Sequence, residues 1–402
     1  MPKSVILLSL LAVIVLVRCQ GFCPLDGCVD PGGGNAAEGE NPYFDAGTGF
    51  NGTVEVIRAL TNGDLYVGGS FTQYNGTDAG RLVRLHSDGS LDTGFDTATG
   101  FNNTVYDIEE VSSGIVVVGA FSAYNGNTIR HIARLTPSGT FDGTLNLAPD
   151  QTVFAVEPAP DGSGNLYFAG AFETIGAMSK QRIARVSGAG AVDTSFPIAG
   201  GPNNTVRKMD ILTAWHRIAI AGDFTNVASA VANRLALLYT DGSAVTGSIF
   251  GCNGSVDAIA VLATQSAFLW GGNCTDYEGN AVDGFFLTSS SGNLIPWADL
   301  AASVGTRAIE VLNPAKGTLF VAGSFTTWGT VTANRIVRLT SSGGLDTASF
   351  DFNNFNSNVN VLEMSRDGTN KLYAAGQFTS VNGVSHGRIV RLHTNGALDT
   401  AP

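Results

Sequence analysis

Apolar and β-branched residues come along this chain in short runs, parted by turns of Gly, Asn, Asp and Ser. From Thr53 to Leu60 the residues are apolar or β-branched, and Asn62–Gly63 follows as a turn. Asp64 to Phe71 is a second run, ending in the loop Tyr74–Asn75–Gly76. Arg81 to Leu85 alternates as a third, and the turn Ser87–Asp88–Gly89 leads into Leu91 to Phe95. Alternation with a period of two, punctuated by such turns, predicts four strands. Apolar spacing of 3.6 residues, which helical repeats of similar length need, is absent.

The same pattern recurs. The phrase Gly-x-Phe stands at Gly69–Phe71, Gly119–Phe121, Gly170–Phe172, Gly222–Phe224, Gly323–Phe325 and Gly376–Phe378. Gly272–Asn273–Cys274 fills the fifth place, with cysteine in the phenylalanine slot. A period of roughly 51 residues carrying four short strands predicts an all-β fold, a seven-bladed β-propeller of four-stranded blades over 44–402. Phe44-Asp45-Ala46-Gly47-Thr48-Gly49-Phe50 repeats the joint Phe95-Asp96-Thr97-Ala98-Thr99-Gly100-Phe101, and the chain stops at the matching Leu398–Asp399–Thr400. A ring closed in this way removes long exposed sheet edges. Which strand closes it is not set by the pattern.

The phrases "GGSFTQYNGTDAGRLVRLHSDGSLDTGF" at 68–95, "GSFTTWGTVTANRIVRLTSSGGLDTASF" at 323–350 and "GQFTSVNGVSHGRIVRLHTNGALDT" at 376–400 resemble the delta-60 repeat family. The likeness is strong in units one, two, three, six and seven and weaker in four and five. It implies a propeller module of secreted or surface proteins, often beside adhesion or sorting domains, and it implies no enzyme activity. Here the propeller stands without such neighbours.

Residues 1–19 read as a signal peptide: Lys3 leads an apolar run from Val5 to Val17, too short for the about 20 residues of a membrane span. Cleavage before Gln20 leaves 20 basic residues against 34 acidic, a formal charge of −14. That balance argues against nucleic acid and anionic membranes as partners. No other apolar run is long enough to insert in a bilayer. Four cysteines remain for an oxidising compartment, and the economical pairing is Cys23–Cys28 and Cys252–Cys274. The first pair sits in residues 20–43, a Gly/Pro-rich arm that belongs to no blade.

Arginine recurs at Arg81, Arg182, Arg234, Arg335 and Arg388, and again at Arg84, Arg134, Arg185, Arg338 and Arg391. Aspartate recurs at Asp92, Asp142, Asp193, Asp346 and Asp399. A feature present in nearly every blade is what the blade needs, so ion pairs locking the last two strands are expected. Tyr74, Tyr124, Tyr277 and Trp328 follow the marker glycine by five residues and form a possible binding face, though inter-blade packing explains them too. Sequons stand at Asn51, Asn75, Asn102, Asn203, Asn253 and Asn273, four of them just before a first strand. Glycans on one face of the ring, or simple turn capping, would account for that register. Asp161-Gly-Ser-Gly-Asn165 and Asp367-Gly-Thr-Asn370 carry oxygen ligands at calcium-like spacing but fit ordinary turns better.

No nucleophile elbow, phosphate loop, dinucleotide fingerprint or zinc spacing is present in the sequence, so no catalytic, cofactor-binding or metal residue is expected. The leading expectation is a secreted, non-enzymatic glycoprotein that is structural or adhesive. It would assemble head-to-tail with itself into a fibre or surface layer through the arm. The alternatives are a soluble propeller binding extracellular carbohydrate or protein and, less favoured, a hydrolase or lyase with a central-funnel site.

Overall fold

The computed structural model describes residues 43–197, 200–245, 250–297, 304–313 and 318–400. The leader, Cys23–Cys28 and the arm up to residue 42 lie outside them. In the first repeat three antiparallel strands lie side by side, Val54–Ala59, Leu65–Gly69 and Leu82–Leu85. The order recurs as Val105–Val111, Gly114–Gly119 and Ile132–Leu135, and in the later repeats. The only helices among the described residues are two 3-10 turns, Thr213–Trp215 and Ala263–Gln265, between the first two strands of the divergent fourth and fifth repeats.

Two details depart from the expected strands. Tyr74–Asn75–Gly76–Thr77 is a hairpin of its own, Gln73–Tyr74 against Thr77–Asp78. Asn75 and Gly76 both have positive φ, the geometry a tight hairpin needs. The fourth run, meanwhile, remains a strand in the fifth repeat, Leu294–Ile295, and shrinks elsewhere to one bridging residue: Leu91 on Leu85, Phe141 on Leu135, Leu345 on Leu339, Leu398 on Leu392. It stops because the Asp92 side chain accepts the Gly94 amide at 2.7 Å and turns the chain away. Asp96 N then donates to Ser138 O of the next repeat. Each bridging residue comes from its own repeat, so no strand is exchanged to close the ring.

The core lies between consecutive sheets. Val116 and Val118 pack with Val156, Phe168 and Phe172 of the repeat that follows. The last repeat meets the first in the same way, with Tyr373, Ala375 and Ile389 against Phe44, Ile57 and Val67. Three of the marker phenylalanines pack on a ring preceding their own first strand: Phe71 on Phe50 at 4.3 Å, Phe121 on Phe101 at 4.2 Å, Phe378 on Phe355 at 4.8 Å. Cys252 and Cys274 occupy those two positions in the fifth repeat and are disulfide-bonded. The covalent bond stands where the ring pair is missing.

Candidate functional site

The first strand of each repeat faces a common central channel. These innermost strands pack one on the next, and Val359–Met364 of the last repeat packs on Val54–Ala59 of the first. They line a cavity of about 440 Å³. Position five of these strands is Arg58, Glu109, Glu157, Asp210, Ala260, Glu310 and Glu363, with Asp107 and Arg366 beside them. Five of the seven positions are therefore acids, enclosed by protein around a narrow lumen.

The inner strands are sheet edges, and their free amides need acceptors. The acids supply them across the joints. Asp107 accepts Val156 N at 3.0 Å, Glu310 accepts Met364 N at 3.1 Å, and Glu363 accepts Ala59 N at 3.1 Å. Glu109 pairs with Arg58, whose Nε donates to Ile108 O at 3.1 Å. Enclosure raises the pKa of these carboxyls by disfavouring their charged form. Burial pushes Asp210 up to about 7 and, with repulsion from Glu363, Glu310 up to about 8. Glu157 is raised well above the carboxylate range by burial and by Asp210 and Asp107. Asp107 and Glu363 are raised by burial and pulled back by Arg58. Such a ring holds protons near neutrality.

Reading the sequence for residues repeated identically missed this ring, because its fifth strand position varies among Glu, Asp, Arg and Ala. The available signal was the recurrence of an acid four residues after the strand's opening Val or Thr, as in Val153–Glu157, Val206–Asp210, Thr306–Glu310 and Val359–Glu363.

The repeated charges are structural. Arg84, Arg134, Arg185, Arg338 and Arg391 each pair with the aspartate eight residues on, with N···O distances of 2.5 to 2.6 Å. A second guanidinium nitrogen donates to a turn carbonyl of the next repeat: Arg84 to Pro137, Arg134 to Gly188, Arg185 to Thr240, Arg338 to Thr394. Arg391 completes the series by donating to Ser87 O of the first repeat. In the other set, Arg81 donates to Phe101 O, Arg234 to Cys252 O and Arg388 to Phe50 O, each one repeat ahead.

The aromatic binding face is not borne out. Tyr74, Tyr124, Tyr277 and Trp328 are all buried. The Tyr74 and Tyr277 hydroxyls donate to Gly89 O at 2.5 Å and Gly292 O at 2.6 Å, and Tyr124 donates to Gly139 O. Trp328 packs on Phe285 and Phe325. The three tyrosines tie the hairpin to the turn before the fourth run, and none of the four buried rings offers a surface for stacking. Ile175, Val227 and Val381 fill the same pocket without the hydroxyl bond.

The register of the sequons has a local cause. Asn51 Oδ1 accepts Thr72 N and Gln73 N at 2.8 and 2.9 Å, clasping the hairpin. Asn102, Asn203 and Asn253 make the same clasp. So do Asp150 and Asn356, where no sequon exists. Asn75 Oδ1 accepts Gly49 N, and Asn273 Nδ2 donates to Ser255 Oγ. All six sequon asparagines remain exposed. Asp161 and Asp367 accept the amide two residues on, at 2.9 Å each, as turn residues do.

Known proteins give the fold a context. A family model described as "Domain of unknown function (DUF5122) beta-propeller" matches residues 60–95, 113–144, 217–244, 317–348 and 368–401. The match supports a β-propeller repeat family, and it does not show the delta-60 family expected from the repeat phrases. No curated protein matches the chain. Among solved structures, the computationally designed Ika8 protein is similar at a TM-score of 0.51 and 10% identity, over 89% of this chain and 97% of its own. The Pan2 WD40 domain of Neurospora crassa is similar at 0.52 and 14% identity, over 83% and 91%. At such identities the likeness is one of fold. The chain is thus built of β-propeller repeats in an all-β, WD40-like arrangement.

Proposed function

We propose that this protein is a seven-bladed propeller acting outside the cell as a non-enzymatic structural or adhesive glycoprotein, and that it assembles with copies of itself through residues 20–43. The observation that carries the reading is the use made of the repeated charges. The aspartates and asparagines brace each repeat internally, and the arginines hold one repeat to the next, including the last to the first, which is what a rigid scaffold requires. The short apolar leader and the delta-60 resemblance support secretion, and the exposed sequon asparagines support glycosylation. The arm supports assembly because it belongs to no repeat, and a head-to-tail contact that does not close generates filaments.

A second reading, a soluble propeller binding an extracellular protein or glycan, now rests on the channel acids and not on the aromatics. A funnel hydrolase or lyase would need such raised carboxyls as general acids. Several of them are instead engaged by backbone amides of the neighbouring strand, so we rank it last.

Electron microscopy of the secreted chain at several concentrations, intact and lacking 20–43, tests the leading reading. Filaments or arrays from the intact chain only are expected. Single dispersed rings in both samples would overturn self-assembly and favour the binding propeller.

A further inference from the structure

We propose that Asp64, His86 and Asp92 form a binding site for a divalent transition-metal ion of the zinc class. Asp64 immediately precedes the second strand of the first repeat, His86 follows its third, and Asp92 follows the bridging Leu91. Their ligand atoms all lie within 4.8 Å of one another. His86 Nδ1 is 3.1 Å from Asp64 Oδ1, and Nε2, the other ring nitrogen, is 4.0 Å from Asp92 Oδ1, so an ion would take one of these nitrogens and draw the farther carboxylate toward it. One imidazole with two carboxylates is a donor set such ions accept, with coordination positions left for water or a partner's side chain.

Both carboxylates are held in place from behind. Asn62 Nδ2 donates to Asp64 Oδ2 at 2.9 Å, and Arg84 Nε donates to Asp92 Oδ2 at 2.5 Å. The two Oδ1 atoms are left toward the imidazole, Asp92 Oδ1 giving one lone pair to Gly94 N. Partners of this kind orient metal ligands. The His86 side chain is 49% exposed, which leaves an entry path.

The last repeat supplies an independent observation. Its matching residues are Lys371, His393 and Asp399, and there the chain fills the slot with its own cation. Lys371 Nζ lies 3.0 Å from Asp399 Oδ2 and 3.0 Å from His393 Nδ1. In the first repeat that ammonium is replaced by the Asp64 carboxylate, so the same frame carries an added ligand where the cation stood. Thr136, Ser187 and Thr340 replace the histidine in the second, third and sixth repeats.

Isothermal titration of the full secreted chain with zinc ion alone tests this. Wild type should take up one saturable equivalent, and His86→Ala should weaken it by at least about tenfold. Lys371→Asp should add a second equivalent, whereas Lys371→Ala should add none; circular dichroism checks that each variant is folded. Absence of saturable uptake by wild type would overturn the proposal, His86 then serving only to bridge two carboxylates. Unchanged uptake by folded His86→Ala would overturn it equally.

Discussion

The melting temperature of this protein should be highest in mild acid, near pH 4 to 5, and should fall as the pH rises through 7 and 8. Two sets of carboxyls produce the maximum. Asp107, Glu157, Asp210, Glu310 and Glu363 have folded pKa values raised above those of the unfolded chain. Their contribution is fully present below the unfolded value of about 4 and is lost as pH climbs to the folded values. For Asp210 and Glu310 those are about 7 and about 8. The staple aspartates act in the opposite sense. Asp92, Asp142, Asp193, Asp346 and Asp399 are lowered, Asp193 to about 2. Their contribution is present above about pH 4 and is lost as pH falls through the folded values. Differential scanning calorimetry from pH 3 to 9 reads both limbs. The variant Asp210→Asn/Glu310→Gln keeps the carbonyl acceptors and removes two titrations, so its alkaline limb should be flatter. A wild-type melting temperature that rises steadily from pH 5 to 8 would contradict the channel electrostatics.

Arg391→Ala should destabilise the fold more than any surface-charge substitution. Its side chain is 7% exposed and that of Asp399 is 3% exposed. Removing one partner of a buried pair costs about 3–5 kcal/mol. Here the lower end applies, because Lys371 still faces Asp399 at 3.0 Å. The substitution also removes the bond to Ser87 O and the guanidinium over the Phe44 ring, both across the junction of last and first repeats. A loss of about 4 °C or more in melting temperature is expected. Arg207→Ala is the comparison: its pair with Asp223 is nearly half exposed on both sides and is worth at most about 1 kcal/mol. Equal melting temperatures for the two variants would show that the repeated arginines do not hold the repeats together.

Much of this was legible in the chain, for identifiable reasons. The Gly-x-Phe marker is visible because strand ends and tight turns tolerate few residues, so the repeat kept its phase through 50- to 53-residue intervals. The arginine–aspartate pairs were legible as structure because they recur in register. Cys252–Cys274 was legible because Cys274 replaces the marker phenylalanine, and the pair proved to substitute for a ring stack. The aromatics misled because sequence places Tyr74 beside a polar loop without saying which way it points. In the hairpin it turns inward to reach Gly89 O. The channel acids were invisible for a different reason. A carboxyl on a half-apolar strand looks solvent-facing until the ring brings several such strands around one lumen.

Closure of that ring by side-chain and backbone bonds between the last and first repeats is tested most directly by amide hydrogen exchange at the junction. Phe44 N donates to Asp399 O, Phe50 N to Gly387 O, and Ala59 N to Glu363 Oε1. In a closed ring these three amides should exchange as slowly as Val117 N within a middle strand of the second repeat. Fast exchange at all three, with Val117 N protected, would mean that the first and last repeats stand apart and would contradict the closed propeller.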